Sequence, residues 1–103
     1  MKLVRDKIPE IIAGQNKKAV ISVMNDEEYY QALLMKLSEE TDEFLEDQNE
    51  EELCDILEVV YALAETMNVS IPQLEQVRKE KRERNGAFKK RLRLERIMEN
   101  SDE

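Results

Sequence analysis

Apolar residues recur every three to four positions along two stretches of this chain, from about residue 26 to 47 and from about 50 to 68. Recurrence at that spacing predicts helices that each bury one side. In the first stretch the stripe is Tyr30, Leu33, Leu34, Leu37, Phe44 and Leu45, with Thr41 on the same face. Asn25 and Glu28 open it with the spacing of a capping box. In the second stretch the main stripe is Leu53, Ile56, Leu57, Val60, Leu63, Ala64 and Met67. A smaller apolar strip, Val59 and Ala62, lies one and two turns beyond Asp55. Gln48 and Asn49 interrupt the periodicity and predict the turn between the two helices.

The flanks carry shorter signals. Pro9, just inside a segment from about 7 to 13, and Gly14 after it predict a short helix. Residues 19–24 are β-branched and mostly apolar, so a short extended segment is expected there, crossing the bundle surface or pairing with a symmetry mate. Ser70, Pro72 and Gln73 predict a further helix from 71 to about 84, ended by Asn85 and Gly86. Phe88, Leu92, Leu94 and Ile97 are expected to dock a shorter final segment, and 100–103 to fray.

Composition narrows the class. With 39% charged residues, two Gly, two Pro and no Trp, the chain favours helices and has little material for turns, so the expected fold is all-α in one domain over 1–103. A chain of 103 residues is close to the size at which oligomerisation becomes attractive, and a homodimer or homotetramer is expected. No His is present, which effectively excludes an imidazole base and a zinc site. The single Cys54 cannot form an internal disulfide and fits a reducing compartment. No apolar run approaches the length of a membrane span, and no signal-peptide core is visible; a soluble, cytoplasmic protein with no membrane partner is expected.

Charge is unevenly spread. Residues 76–96 carry ten Lys/Arg against three Glu, whereas the remainder carries six against 21 acids. An acidic middle followed by a basic C-terminal third fits a metal-plus-phosphate site better than a nucleic-acid polymer, which needs a dominant basic face.

Within the acidic middle, Glu40, Glu43, Glu52 and Asp55 form a Glu-x-x-Glu and a Glu-x-x-Asp, one on each predicted helix. Residues three apart project to one side of a helix. Measured from a turn at 48–49, a rise of about 1.5 Å per residue puts Glu52 roughly 5 Å, Glu43 roughly 8 Å, Asp55 roughly 10 Å and Glu40 roughly 13 Å along the helices. Helices packed at about 8–10 Å then bring the four carboxylates within reach of one or two cations. Glu40 and Glu43 fall on the shoulder of their stripe, while Glu39 and Glu46 point further into solvent. Asp55 shares a face with apolar residues, and a carboxylate there needs a partner. An all-oxygen donor set suits Mg²⁺, with Mn²⁺ as the alternative, and Mg²⁺ brings a phosphorylated substrate with it.

The order and spacing of three stretches resemble the MazG-like all-α nucleoside-triphosphate pyrophosphohydrolases, relatives of phosphoribosyl-ATP pyrophosphohydrolase, and especially their small stand-alone house-cleaning branch. The stretches are Lys2-Leu-Val-Arg-Asp-Lys-Ile-Pro-Glu-Ile-Ile12; Lys36-Leu-Ser-Glu-Glu-Thr-Asp-Glu-Phe44 with Glu51-Glu-Leu-Cys-Asp-Ile-Leu-Glu-Val59; and Lys81-Arg-Glu-Arg-Asn-Gly-Ala-Phe88. The family's metal motif falls on Glu40, Glu43, Glu52 and Asp55. The resemblance implies a helical bundle completed by oligomerisation. It also implies Mg²⁺-dependent cleavage between the α- and β-phosphates of a nucleotide, giving a monophosphate and pyrophosphate. Two features depart from the family pattern: the gap between the acidic pairs is short, and Asn-Gly-Ala follows Arg84 where Gly-Gly is more usual.

In such a reaction Glu40 is the preferred dual candidate, as metal ligand and as base for a metal-bound water, with Glu39 as an outer-sphere alternative. Lys81 and Arg84, in the resembling stretch, and Arg91 beyond it are candidate phosphate-binding cations. Arg5 and Lys7 can reach a ligand or pair with the acidic helix. Phe88 can stack on a base, although anchoring the C-terminal segment in the core is the default for such a residue. The alternatives are phosphoribosyl-ATP cleavage and a non-catalytic helical oligomer that binds nucleotide or protein. A coiled-coil adaptor is disfavoured by the broad stripes.

Overall fold

The computed structural model describes residues 2–99, in two compact units that divide between Ile71 and Pro72. Four helices form: α1 (Ile8–Ala13), α2 (Asp26–Asp47), α3 (Glu50–Thr66) and α4 (Ile71–Asn85). Among the described residues there is no strand, and the fold is all-α as expected. Residues 19–24 lie outside any regular element, with Val20 and Val23 almost fully exposed. The tail expected over 100–103 lies outside the described residues. No helix among those residues is long and apolar enough to cross a membrane.

Side chains at the helix ends explain why α2 and α3 stand as a hairpin. The Glu28 amide donates to Asn25 Oδ1 at 2.8 Å and the Asn25 amide donates to Glu28 Oε1 at 3.0 Å, closing the predicted capping box. At its other end α2 stops on Gln48, which turns left-handed at φ 49° while its amide donates to Phe44 O at 2.7 Å. Asn49 follows in an extended conformation, and its side chain accepts from the Glu52 amide at 3.0 Å, capping α3. Two residues thus reverse the chain. The end of α3 uses the same chemistry: Asn68 is left-handed at φ 58°, and the Val69 amide donates back to Ala64 O at 2.9 Å.

In the first unit α2 packs against α3, and the core lies between them. Leu33, Val59 and Ala64 are buried there, together with one charged residue, Glu40. This corrects the reading of both stripes. On α3 the strip of Asp55 and Val59 faces α2, whereas Leu53 and Leu57 are each 48% exposed and Met67 is 66% exposed. On α2, Leu34 and Leu45 are likewise exposed, and Glu40 sits inside the interface instead of on its shoulder. Each helix carries two apolar faces, and periodicity cannot rank which one the hairpin itself covers. Cys54 is exposed, so its thiol does not pack between the helices.

The second unit holds almost all of α4, whose end is marked by Gly86 at φ 87°, a value glycine adopts freely. Among the described residues no helix follows. Phe88, Leu92, Leu94 and Ile97 are 97%, 85%, 76% and 83% exposed, which overturns the expectation that they anchor a final segment. The physical reason is local: charged residues crowd between them, α4 is dominated by Lys, Arg and Glu, and none of the described residues of the unit is buried.

Candidate metal centre

The α2–α3 hairpin brings together the four predicted carboxylates. Glu40, Glu43, Glu52 and Asp55 each offer an oxygen, and these oxygens all lie within 4.8 Å of one another. The two-residue turn produces this convergence by placing the second half of α2 opposite the first half of α3. The Asn49 cap fixes Glu52 in the first turn of α3, where the helix dipole favours a negative side chain.

Burial makes the cluster more than an acidic patch. The Glu40 side chain is 8% exposed, with one oxygen 3.3 Å from Lys36 Nζ and the other, Oε2, buried without a hydrogen-bond partner. Glu52 Oε2 is also buried and unpartnered. Leaving such atoms unmatched costs free energy, and a proton shared with Glu43, a water or a cation could each supply the missing partner. α2 and α3 together hold fifteen acids against the single basic Lys36, too little positive charge to neutralise the cluster.

The proton affinities carry the same signature. The Glu43 carboxyl is pushed above its usual value, first because the Glu40 carboxylate can accept its proton in a hydrogen bond, then by the repulsion of Glu40, by burial and by Glu52. Glu52 is raised by burial first, then by the charges of Asp47, Asp55 and Glu40. Carboxylates that resist ionising together are relieved by a divalent ion. The donor set is all oxygen, which fits Mg²⁺ or Mn²⁺.

The other sequence candidates separate clearly. Arg5 joins the cluster: its Nη2 donates to Asp55 Oδ1 at 2.7 Å. Glu39 stands at its edge, 3.9 Å from Lys36 Nζ and half exposed. Lys7 caps α1, is exposed, and has no ion-pair partner among the described residues. Lys81, Arg84, Phe88 and Arg91 belong to the second unit, where all are exposed and the three cations pair with no described residue. One participant was missed, Lys36, although its spacing of four to Glu40 was visible in the chain.

Two cavities adjoin the N-terminal segment. One of about 550 Å³ is bounded by Leu3, Arg5, Pro9, Met24 and Tyr29 among others, and Tyr29 holds its proton more tightly than usual because of burial and then the charges of Glu65 and Asp6. A second of about 330 Å³ runs between Lys2, Leu3, Lys36, Glu39 and Glu43.

Comparison with known proteins adds little. No protein-family model matches the chain, and no solved structure matches it. A protein of Mycolicibacterium smegmatis described as uncharacterized is 49% identical over 41 residues, a stretch covering 40% of this chain and 42% of that protein. This chain therefore matches less than half the length of that relative.

Proposed function

We propose that this chain is a Mg²⁺-dependent nucleotide pyrophosphohydrolase, with Mn²⁺ able to replace Mg²⁺. It cleaves the α–β phosphoanhydride of an NTP or dNTP to a monophosphate and pyrophosphate. The observation that carries this reading is the buried, partnerless Glu40 Oε2 within a cluster of four converging carboxylates. The resemblance of the three stretches to house-cleaning pyrophosphohydrolases supports the choice of reaction.

Glu40, Glu43, Glu52 and Asp55 would hold the metal, which when bound polarises water and neutralises charge on the leaving phosphates. Water oxygen bonds to the α-phosphorus, the bond to the bridging oxygen breaks, and pyrophosphate departs with that oxygen. The water proton goes to a carboxylate. Glu39 suits this role better than Glu40, because Glu40 is buried with one oxygen against Lys36 and the other inside the cluster, whereas Glu39 is half exposed, only loosely paired with Lys36 at 3.9 Å, and lies on the wall of the adjoining cavity. The resemblance alone points to Lys81, Arg84 and Arg91 as phosphate-binding cations, and substitution of each tests that role. The exposed Leu34, Leu45, Leu53, Leu57 and Met67 support assembly into a homodimer or homotetramer.

The test is a panel of canonical and damaged (d)NTPs plus phosphoribosyl-ATP, with pyrophosphate scored separately from inorganic phosphate. Pyrophosphate release that stops on chelation is expected. Silence across the panel in a protein that binds Mg²⁺ would favour a binding role instead.

A further inference from the structure

Arg5 occupies a position that links the acidic cluster to the larger cavity. Its guanidinium donates to Asp55 at 2.7 Å, and the same residue forms part of the wall of the 550 Å³ space. The backbone there is held: the Ile8 amide donates to Arg5 O at 3.1 Å, fixing the residue just before α1. The side chain is held much less firmly. Arg5 and Asp55 side chains are 57% and 36% exposed, and an ion pair so open to water is weak. A guanidinium and a divalent cation on one carboxylate would repel each other, and a cation held by several carboxylates would outcompete a singly paired guanidinium.

Resting on the metal-site reading above, we propose that Arg5 is an exchange residue. It neutralises Asp55 until a divalent cation takes that carboxylate, and it then turns to a phosphoryl oxygen of the ligand. The ligand class that fits is a phosphate ester with an organic moiety. The cavity is of ligand size, its apolar walls at Leu3, Pro9, Met24 and Tyr29 suit the organic part, and Arg5 meets the phosphate end beside the metal. Metal loading thereby switches Arg5 from an internal counter-ion to a ligand-binding group, so cation binding precedes tight phosphate binding.

The experiment uses the full chain, wild type and Arg5→Gln, with Mn²⁺ followed by electron paramagnetic resonance and inorganic triphosphate by calorimetry on the Mn²⁺-saturated protein. Arg5→Gln should bind Mn²⁺ about two- to fivefold more tightly, because a weak competitor is gone. It should bind triphosphate about tenfold more weakly, because a charged hydrogen-bond donor is gone. Arg5→Lys should fall between wild type and Arg5→Gln in triphosphate affinity. Tighter Mn²⁺ follows from the loss of any neighbouring positive charge, so the exchange is read from the two affinities together, and Mn²⁺ affinity that is unchanged or weaker in Arg5→Gln overturns the proposal. So does triphosphate affinity that is equal in wild type and Arg5→Gln. Absence of Mn²⁺ binding in the wild type overturns the metal-site reading itself, and this proposal with it.

Discussion

The α2–α3 hairpin and the C-terminal unit are both dense in charge, yet charge does different work in each. Charged residues from 75 to 96 pair locally or face water: Arg78 donates to Glu75 one turn away, and the cations at 81, 84 and 91 stand exposed without described partners. Ion pairs of that kind contribute little to stability. In the hairpin the acids converge, two of their oxygens are shut off from water without hydrogen-bond partners, and among the described residues Lys36 and Arg5 are the cations ion-paired with them. Charge at the helix surface is met by water, whereas charge gathered between helices needs a partner there, whether a counter-ion, a proton or a cation. Burial decides between those outcomes, and residue type does not.

The sharpest way to break this comparison is to remove a charge from each region. Under the proposed reaction, Glu43→Gln should lower pyrophosphate release by at least about a hundredfold while leaving the helical circular dichroism unchanged, since it loosens the hold on an ion that would supply several kcal/mol of transition-state stabilisation. Arg84→Ala, in the other region, should raise KM with kcat largely retained if it does no more than bind phosphate. Steady-state kinetics on both variants separates the two effects.

Packing supplies a second contrast. Leu33 is 3% exposed, and Leu33→Ala should destabilise the protein by about 2–5 kcal/mol in chemical denaturation. Phe88 is 97% exposed, and Phe88→Ala should change stability by no more than about 0.5 kcal/mol. A large loss at Phe88 would show that another surface covers it.

The smallest effect is electrostatic. Glu43 and Glu52 titrate above their ordinary 4.5 in the folded chain, which therefore holds more protons than the unfolded chain just above that pH. Their contribution to stability is greatest below about pH 4.5 and is lost as pH rises through the folded values. Thermal melts in chelator should therefore decline as pH rises above about 4.5, and saturating Mg²⁺ should flatten that decline. A melting temperature in chelator that rises over the same range would contradict the like-charge cluster.

Much of this was legible in the chain because local chemistry decided it. The capping box at Asn25, the turn at Gln48 and Asn49 and the i, i+3 carboxylate pairs depend on neighbours a few residues apart, and the structure contains them all. What escaped depends on distant partners. Which face of α3 is buried follows from α2, so Val59 was underrated and Leu57 overrated. Phe88 looked like an anchor because its side chain is apolar, but no apolar surface in its unit receives it. The Arg5–Asp55 pair joins residues fifty positions apart, and only the fold selects it over the other pairings open to Arg5.

The most direct test of the central claim is the anomalous X-ray signal from crystals soaked in Mn²⁺. The account predicts one or two peaks among Glu40, Glu43, Glu52 and Asp55, with carboxylate oxygens at about 2.1–2.2 Å. Peaks confined to surface acids such as Glu46 or Glu58, with none between α2 and α3, would contradict it.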